Sequence, residues 1–290
     1  MAEPDPIPDL IQARFGPALG PPWAGFGPTL GGLSAHHGPA DVTGLARLLD
    51  RRSCRDYSAQ EVPEGLVRLL LAAGLSAPTK SDLQQADVVW VRDDALRAQV
   101  LEGIGGADWI KRAPVFMVVC ANGARLASLF DGAEFPNDHF DALFNATVDA
   151  AIVLEGLVAA AALAGLGSCP VSQIRDRAER ISGLLDLPDR VFPVAGLCMG
   201  YPASEAAISP RLDLGITVHE DRYDHDAFAR LGPAYDARRI ADTPYRSQRD
   251  PERFGVAETY GWREDKRRQY ADSQRAEFGA YLRDIGFSFK

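Results

Sequence analysis

The sequence predicts a mixed α/β or α+β domain, and three observations carry that prediction. Strand-like apolar runs stand at 86–91 (ADVVWV), 115–120 (VFMVVC) and 192–199 (FPVAGLCM). Between them lie segments whose apolar residues recur at helical spacing, so strands alternate with helices. The chain has 290 residues, 46% hydrophobic and 24% charged. A chain of this size buries about 75% of its unfolded surface, enough for a core without staples.

The elements follow in order. Residues 1–40 hold eight of the 20 prolines and seven of the 27 glycines. Proline cannot sit inside a helix or a central strand, and glycine raises the entropy cost of order, so an extended arm is predicted. Only Asp9 to Phe15 has the makings of a helical turn. Asp41 is placed to cap a helix carrying Leu45, Leu48 and Leu49. A second helix starts near Glu61, with Leu66, Leu69, Leu70, Ala73 and Leu75 on its apolar face and Gly74 weakening its end. The continuous apolar run 115–120 reads as a central strand, buried on both faces. Residues 137–166 form a long helix that is apolar nearly all round, hence deeply buried, and glycines 165 and 167 end it. A further helix spans 175–187 and stops at Pro188. Beyond Tyr223 the character shifts: residues 237–290 contain 12 Lys/Arg and nine Asp/Glu. There 242–257 reads as a mobile polar loop and 262–284 as an exposed helix. The organisation is thus an arm (1–40), a core (41–223) and a C-terminal excursion (224–290).

The formal charge of −9 argues against a general nucleic-acid binder, which needs a basic surface. No run of about 18 apolar residues stands out as a membrane span. The first residues lack a secretory signal, so cytoplasmic residence with reduced thiols is expected. Cys54, Cys120, Cys169 and Cys198 show no zinc-ligand spacing, and no metal is expected. There is no GxxxxGK[ST] loop, GxSxG elbow or HExxH helix, and 103–108 (GIGGAD) breaks the GxGxxG pattern at its last position. What remains is chemistry that needs few catalytic side chains because a cofactor carries the electrons.

Arg51-Arg52-Ser53-Cys54-Arg55 puts three guanidiniums and a hydroxyl within five residues, enough to surround one phosphate. The alternative for these five residues alone is a solvated basic helix end. The wider order of motifs bears on the choice. Residues 51–57 (RRSCRDY), 77–85 (APTKSDLQQ), 165–169 (GLGSC), 196–203 (GLCMGYPA), 209–212 (SPRL) and 218–220 (VHE) resemble, in sequence order, the motifs of the nitroreductase family of FMN enzymes. The last two are similar to its NADPH-preferring, oxygen-insensitive nitroreductase and flavin reductase subgroup.

The resemblance implies an α+β fold, with a mixed, mainly antiparallel sheet flanked by helices. It implies an intertwined homodimer with tightly bound FMN at the interface and C-terminal segments embracing the partner. Arg51, Arg52, Ser53 and Arg55 would hold the ribityl chain and phosphate, with Arg211 as a second phosphate charge. Thr79, Ser81 and Leu83 would reach the flavin of the other subunit. Pro170, Val171 and Ser172 would line the ring; Pro170 has no N–H, so Val171 or Ser172 must donate. Arg246, with Arg249 as the alternate, would meet the 2′-phosphate of NADPH, a transient co-substrate. Ser209 stands where the subgroup usually has lysine, Ala107 where a glutamine is expected, and Asp82 brings a carboxylate near the substrate gap. Cys169 reads as a small buried residue, and His219 as a structural partner of the C-terminal arm. The implied activity is ping-pong: NADPH gives a hydride to flavin N5, and a nitroaromatic, quinone or free flavin takes the electrons. Flavin carries the hydride, so no catalytic side chain is required. The alternatives are a flavin-holding sensor without turnover, or a dehalogenating or flavin-fragmenting enzyme, for whose lid residues 123–140 are short.

Overall fold

The computed structural model describes residues 12–13, 42–102, 104, 108–130 and 135–290. The 1–40 arm, apart from helical Gln12 and Ala13, and Ala107 lie outside the described residues. The chain divides into two compact units: Ser53–Ala206 with Arg275–Lys290, and Met1–Arg52 with Ala207–Gln274.

Four strands form one sheet: β1 (Ala86–Trp90), β2 (Val115–Asn122), β3 (Gly167–Val171) and β4 (Val191–Gly200), in the order β1-β2-β4-β3. All three pairings are antiparallel, and an isolated parallel bridge joins Ser53 to Ser168, so the sheet is mixed and mainly antiparallel. The helices before β3 are α1 (Val42–Asp50), α2 (Glu64–Leu75), α3 (Asp94–Glu102), α4 (Asp108–Arg112), α5 (Ala124–Ala127) and α6 (Phe140–Leu163). Those after it are α7 (Ala178–Leu184), α8 (Leu214–Thr217), α9 (Ala227–Asp242), α10 (Pro251–Phe254), α11 (Trp262–Gln269) and α12 (Phe278–Asp284).

β2 is buried along its whole length because each face meets a core. Met117, Val119 and Ala121 join a core with Val67 and Leu70 of α2 and Ala146, Val153 and Leu157 of α6. Phe116, Val118 and Cys120 join a second core with Val100, Ile110, Ile174 and Ile181. The two-residue alternation of a strand thus serves two apolar layers at once. β4 tolerates Pro193 because the register with β2 shifts there, and β3 pairs with β4 only from Gly196 to Gly200.

α6 is long and apolar enough, by length and composition, to cross a membrane. It instead packs on α2 and the sheet, burying Leu143, Ala146, Val153, Leu157 and Ala161. α2 and α6 cross where Gly74 meets Gly156: a Cβ on Gly156 would lie 3.1 Å from the Gly74 carbonyl oxygen. Gly74, expected to weaken a helix end, allows this close approach.

Several expectations need correction. The motif at 165–169, which resembles the family's loop after the long helix, runs into a strand: Gly167–Val171 form β3. The helix expected over 175–187 begins instead as a 3₁₀ turn, Ser172–Arg177, before α7. The helix expected over 262–284 is two helices, α11 and α12; Arg275 between them adopts φ 55°, a left-handed conformation no helix continues through. α12 is also not simply exposed, because Tyr281, Leu282 and, beyond it, Phe287 are buried in the first core. Lateral packing, invisible to a charged sequence pattern, decided these cases.

In the other unit, Tyr235 of α9 packs edge-on against Trp262 of α11 at 5.8 Å between ring centroids. Asp236 accepts from the Arg263 N–H (3.1 Å) at the start of α11. A Cβ on Gly261 would strike that carboxylate, so a side chain there would have to displace Asp236.

Candidate functional site

The first motif leaves α1 as extended chain, and the division between the two units falls inside it, after Arg52. Arg52 donates to Asp50 at 2.8 Å. From Ser53 onward the segment is bound to the sheet. The Cys54 N–H donates to the Ser168 carbonyl (3.0 Å), the Ser58 N–H to the Tyr201 carbonyl (2.9 Å) and the Ala203 N–H to the Asp56 carbonyl (3.0 Å). Gly167 makes the approach possible, since a Cβ there would fall 2.5 Å from Cys54 Cβ. The motifs at 53–57, 165–172 and 196–203 are thereby joined along one end of the sheet.

On that end, Pro170 is exposed while the rest of β3 is buried, and Ser172 is exposed after it. Arg55 is exposed, lies 5.7 Å from the Trp109 ring and pairs with no carboxylate among the described residues. Beneath this surface, burial pushes the Tyr57 phenol and the Cys54 thiol up, and the Cys198 thiol up to about 12. Cys169 and Cys198 face each other across β3 and β4, and both are buried. A thiol needs to be a thiolate to react, so Cys54 and Cys198 are held in the unreactive form; Cys169 is buried. Among the described residues, no cluster of His, Cys, Asp or Glu has the arrangement of a metal site.

The second motif is anchored elsewhere in the same unit. Asp149 of α6, 2% exposed, accepts from the N–H groups of Lys80 (3.0 Å) and Gln85 (3.1 Å). Ser81, Asp82 and Gln84 all have φ between 50° and 58°. The Thr79 hydroxyl accepts from the Gln84 N–H at 3.0 Å. Thr79 and Leu83 are half-buried and Ser81 is exposed.

In the other unit, Arg211 is exposed and donates to the Ser209 and Pro210 carbonyls at 3.4 and 3.5 Å. Arg246 is exposed. Arg249, the alternate to Arg246, is engaged: its Nε donates to Asp265 at 2.9 Å. Asp265 also accepts from Tyr260 (2.9 Å) and pairs with Lys266 (2.7 Å). Burial alone would raise the Asp265 carboxyl; these partners outweigh it and hold it below the ordinary carboxylate range. The stretch 242–257 also contains α10 and is clasped by two 2.8 Å bonds between Gln248 and Ala257. His219 accepts from the Asp224 N–H at 3.2 Å, a structural bond.

Sequence reasoning missed Asp149, Asp265 and Arg275. Arg275 donates to Asp176 at 2.5 Å and lies 3.5 Å from the Ser172 hydroxyl. Asp149 did leave a signal: it is an acidic residue inside an apolar helical run. For Arg275 the sequence holds no such mark.

The donor chemistry suits a flat, phosphate-bearing cofactor. Arg55 pairs with no carboxylate among the described residues, the Ser53 hydroxyl lies two positions before it, and Pro170 of β3 and Ser172 just after that strand are exposed. Comparisons with known proteins agree. The Nitroreductase family model matches residues 48–201, and the model for the C-terminal domain of that family matches 209–290. An FMN reductase (NAD(P)H) of Bacillus subtilis is 34% identical over 197 residues, covering 66% of this chain and 79% of the relative. An oxygen-insensitive NADPH nitroreductase of Salmonella typhimurium is 31% identical over 176 residues, covering 61% and 72%. The structure of B. megaterium NfrA2 superimposes with a TM-score of 0.76 at 30% identity, covering 85% of this chain and 98% of that one. With both family models matched in order and the fold shared, this chain belongs to the nitroreductase family.

Proposed function

We propose that this protein is an FMN-dependent NAD(P)H oxidoreductase that passes electrons to nitroaromatics, quinones or free flavin. The observation that carries the reading is the sheet end where the first motif, with Arg55 paired to no carboxylate among the described residues, is bonded to β3 beside exposed Pro170 and Ser172. FMN, when bound, supplies reversible two-electron chemistry between the nicotinamide and the acceptor. By the family resemblance, Arg51, Arg52, Ser53 and Arg55 would hold its phosphate and ribityl chain, and Arg211 would add a second phosphate charge. The N–H of Val171 or Ser172 would be the donor available to the bound flavin, stabilising developing negative charge on it. Arg246 meets the 2′-phosphate of NADPH, since Arg249 is held by Asp265.

The working form is a homodimer, with Thr79, Ser81 and Leu83 serving the partner's flavin. Exposed Phe140, Phe144 and Val148 on α6, with Leu69 and Leu75 on α2, supply apolar surface for that interface. Tyr281, Leu282 and Phe287 return to their own chain's core, while the rest of the C-terminal excursion, 224–290, is the proposed embrace of the partner. Four buried free cysteines suit a reducing, cytoplasmic setting.

Anaerobic stopped flow tests the function. NADPH bleaches the bound flavin in one phase and a quinone restores its colour in a second. A purified protein that stays colourless and cannot be loaded with FMN overturns the reading; one that binds FMN but is not bleached is a flavin-binding protein without turnover.

A further inference from the structure

We propose that Arg275 is a positioning residue that latches the Ser172 end of β3 and thereby sets how tightly FMN is held and at what potential; this rests on the function proposed above. The segment it fixes is a six-residue 3₁₀ turn, Ser172–Arg177, directly after β3. Runs of 3₁₀ helix longer than three or four residues are uncommon, because their hydrogen bonds are poorly aligned. This one needs outside support. From below, Ile174 is fully buried, and Arg175 donates to the Val194 carbonyl. From the outer side the support is Arg275.

One guanidinium spans the turn. Nε of Arg275 donates to Asp176 at 2.5 Å, and Nη2 lies 3.5 Å from the Ser172 hydroxyl. A planar fork can serve two acceptors at once, which a lysine ammonium on a flexible stem does less well. The Arg275 backbone is fixed in turn: its carbonyl accepts from the Phe278 N–H at 3.0 Å, at the start of α12. α12 is anchored by the Tyr281 hydroxyl, 2.6 Å from the buried Ser182 hydroxyl. Arg275 also holds φ 55°, a conformation a non-glycine residue keeps only when its surroundings over-determine it.

Pro170 cannot donate, so the N–H groups that follow it must be held still if they are to face the flavin. Displacement of such donors by about 1 Å is costly. A latch on Ser172 and Asp176 supplies that constraint from a segment about a hundred positions away in the sequence.

The test uses the full-length protein with Arg275→Gln, Arg275→Lys and Asp176→Asn. In the FMN-free proteins, hydrogen exchange of amides 171–177 is expected to speed up about tenfold in Arg275→Gln, with α6 unchanged. In the FMN-loaded proteins, the flavin dissociation constant is expected to rise about tenfold and the midpoint potential to shift, with Arg275→Lys and Asp176→Asn in between. Unchanged exchange overturns the latch even if the protein never takes up FMN. Faster exchange with unaltered FMN affinity and potential overturns the link to the flavin. A wild-type protein that binds no FMN sinks the functional reading separately, leaving the exchange result to decide the latch.

Discussion

Asp149 is a carboxylate inside an apolar helix that no core would accept without partners. It has two, the N–H groups of Lys80 and Gln85, and with them it fixes a loop that carries three left-handed non-glycine residues. Asp149→Asn keeps the shape but replaces one acceptor with a donor that faces an N–H. It should lower stability by about 1–3 kcal/mol, read as a lower urea midpoint at unchanged slope. An unchanged midpoint would show that the loop does not depend on this carboxylate. Glu264 and Asp265 act at acid pH. Arg267 and Arg268 hold Glu264 down at about 2, and the partners of Asp265 hold it below its ordinary value. Both folded values lie below the unfolded ones, so their contribution is complete above about pH 4–4.5. It is lost as pH falls through the folded values. Stability of the α9–α11 region should be flat from pH 7 to about 5 and decline between about 4 and 2. NMR or hydrogen exchange across acid pH checks this; a decline already complete at pH 5 would contradict it. Arg51 to Arg55 were legible because a dense run of cations announces itself in one dimension. Asp265 was not, because its meaning depends on Arg249 and Tyr260, which reach it only in the fold.

At the scale of elements, the helix crossing of α2 and α6 turns on small residues. A Cβ on Gly74 would lie 2.6 Å from Leu157 Cγ and 3.2 Å from the Leu157 nitrogen. Gly74→Ala gains about 1 kcal/mol of helix propensity but overpacks the crossing at a cost of about 1–3 kcal/mol. The net result should be a lower melting temperature. Gly65, in the same helix, has nothing within 4 Å of its would-be Cβ. Gly65→Ala should therefore be neutral or stabilising, and equal effects at both sites would refute the crossing argument. β2 and β4 were readable as strands because both faces are apolar. β3 was not: glycine and proline within GSCPV mimic a loop, and its partners β4 and Ser53 come from distant parts of the chain. The expected single helix over 262–284 failed for a related reason. Its charged pattern suits a helix, but the break at Arg275 answers to Ser172 and Asp176 rather than to local propensity.

For the whole molecule, charge and apolar surface are unevenly spread. The chain carries −9 overall, while its basic residues include the 51–55 run and much of 237–290. Such a distribution draws phosphates locally while the body stays acidic. The exposed Phe144 and Val148 of α6 are costly to leave in water, and a second copy of the chain is the proposed cover. Phe144→Asp with Val148→Asp should shift the protein from dimer to monomer by light scattering and reduce its FMN content. A wild-type protein that is monomeric at micromolar concentration would defeat this reading. By itself, the sequence determined a mixed class of alternating strands and helices, the central strand β2, the strands β1 and β4, the long core helix, the cationic first motif and the resemblance to the family. Each of these is written in contiguous residues, as hydrophobic periodicity or a motif at fixed spacing. Only the tertiary structure decided that β3 is a strand, that Asp149 holds the second motif, that Arg249 is engaged by Asp265, and that Arg275 reaches Ser172. In each, the deciding interaction joins residues far apart in the chain or sets packing against propensity, and one-dimensional spacing carries no record of it.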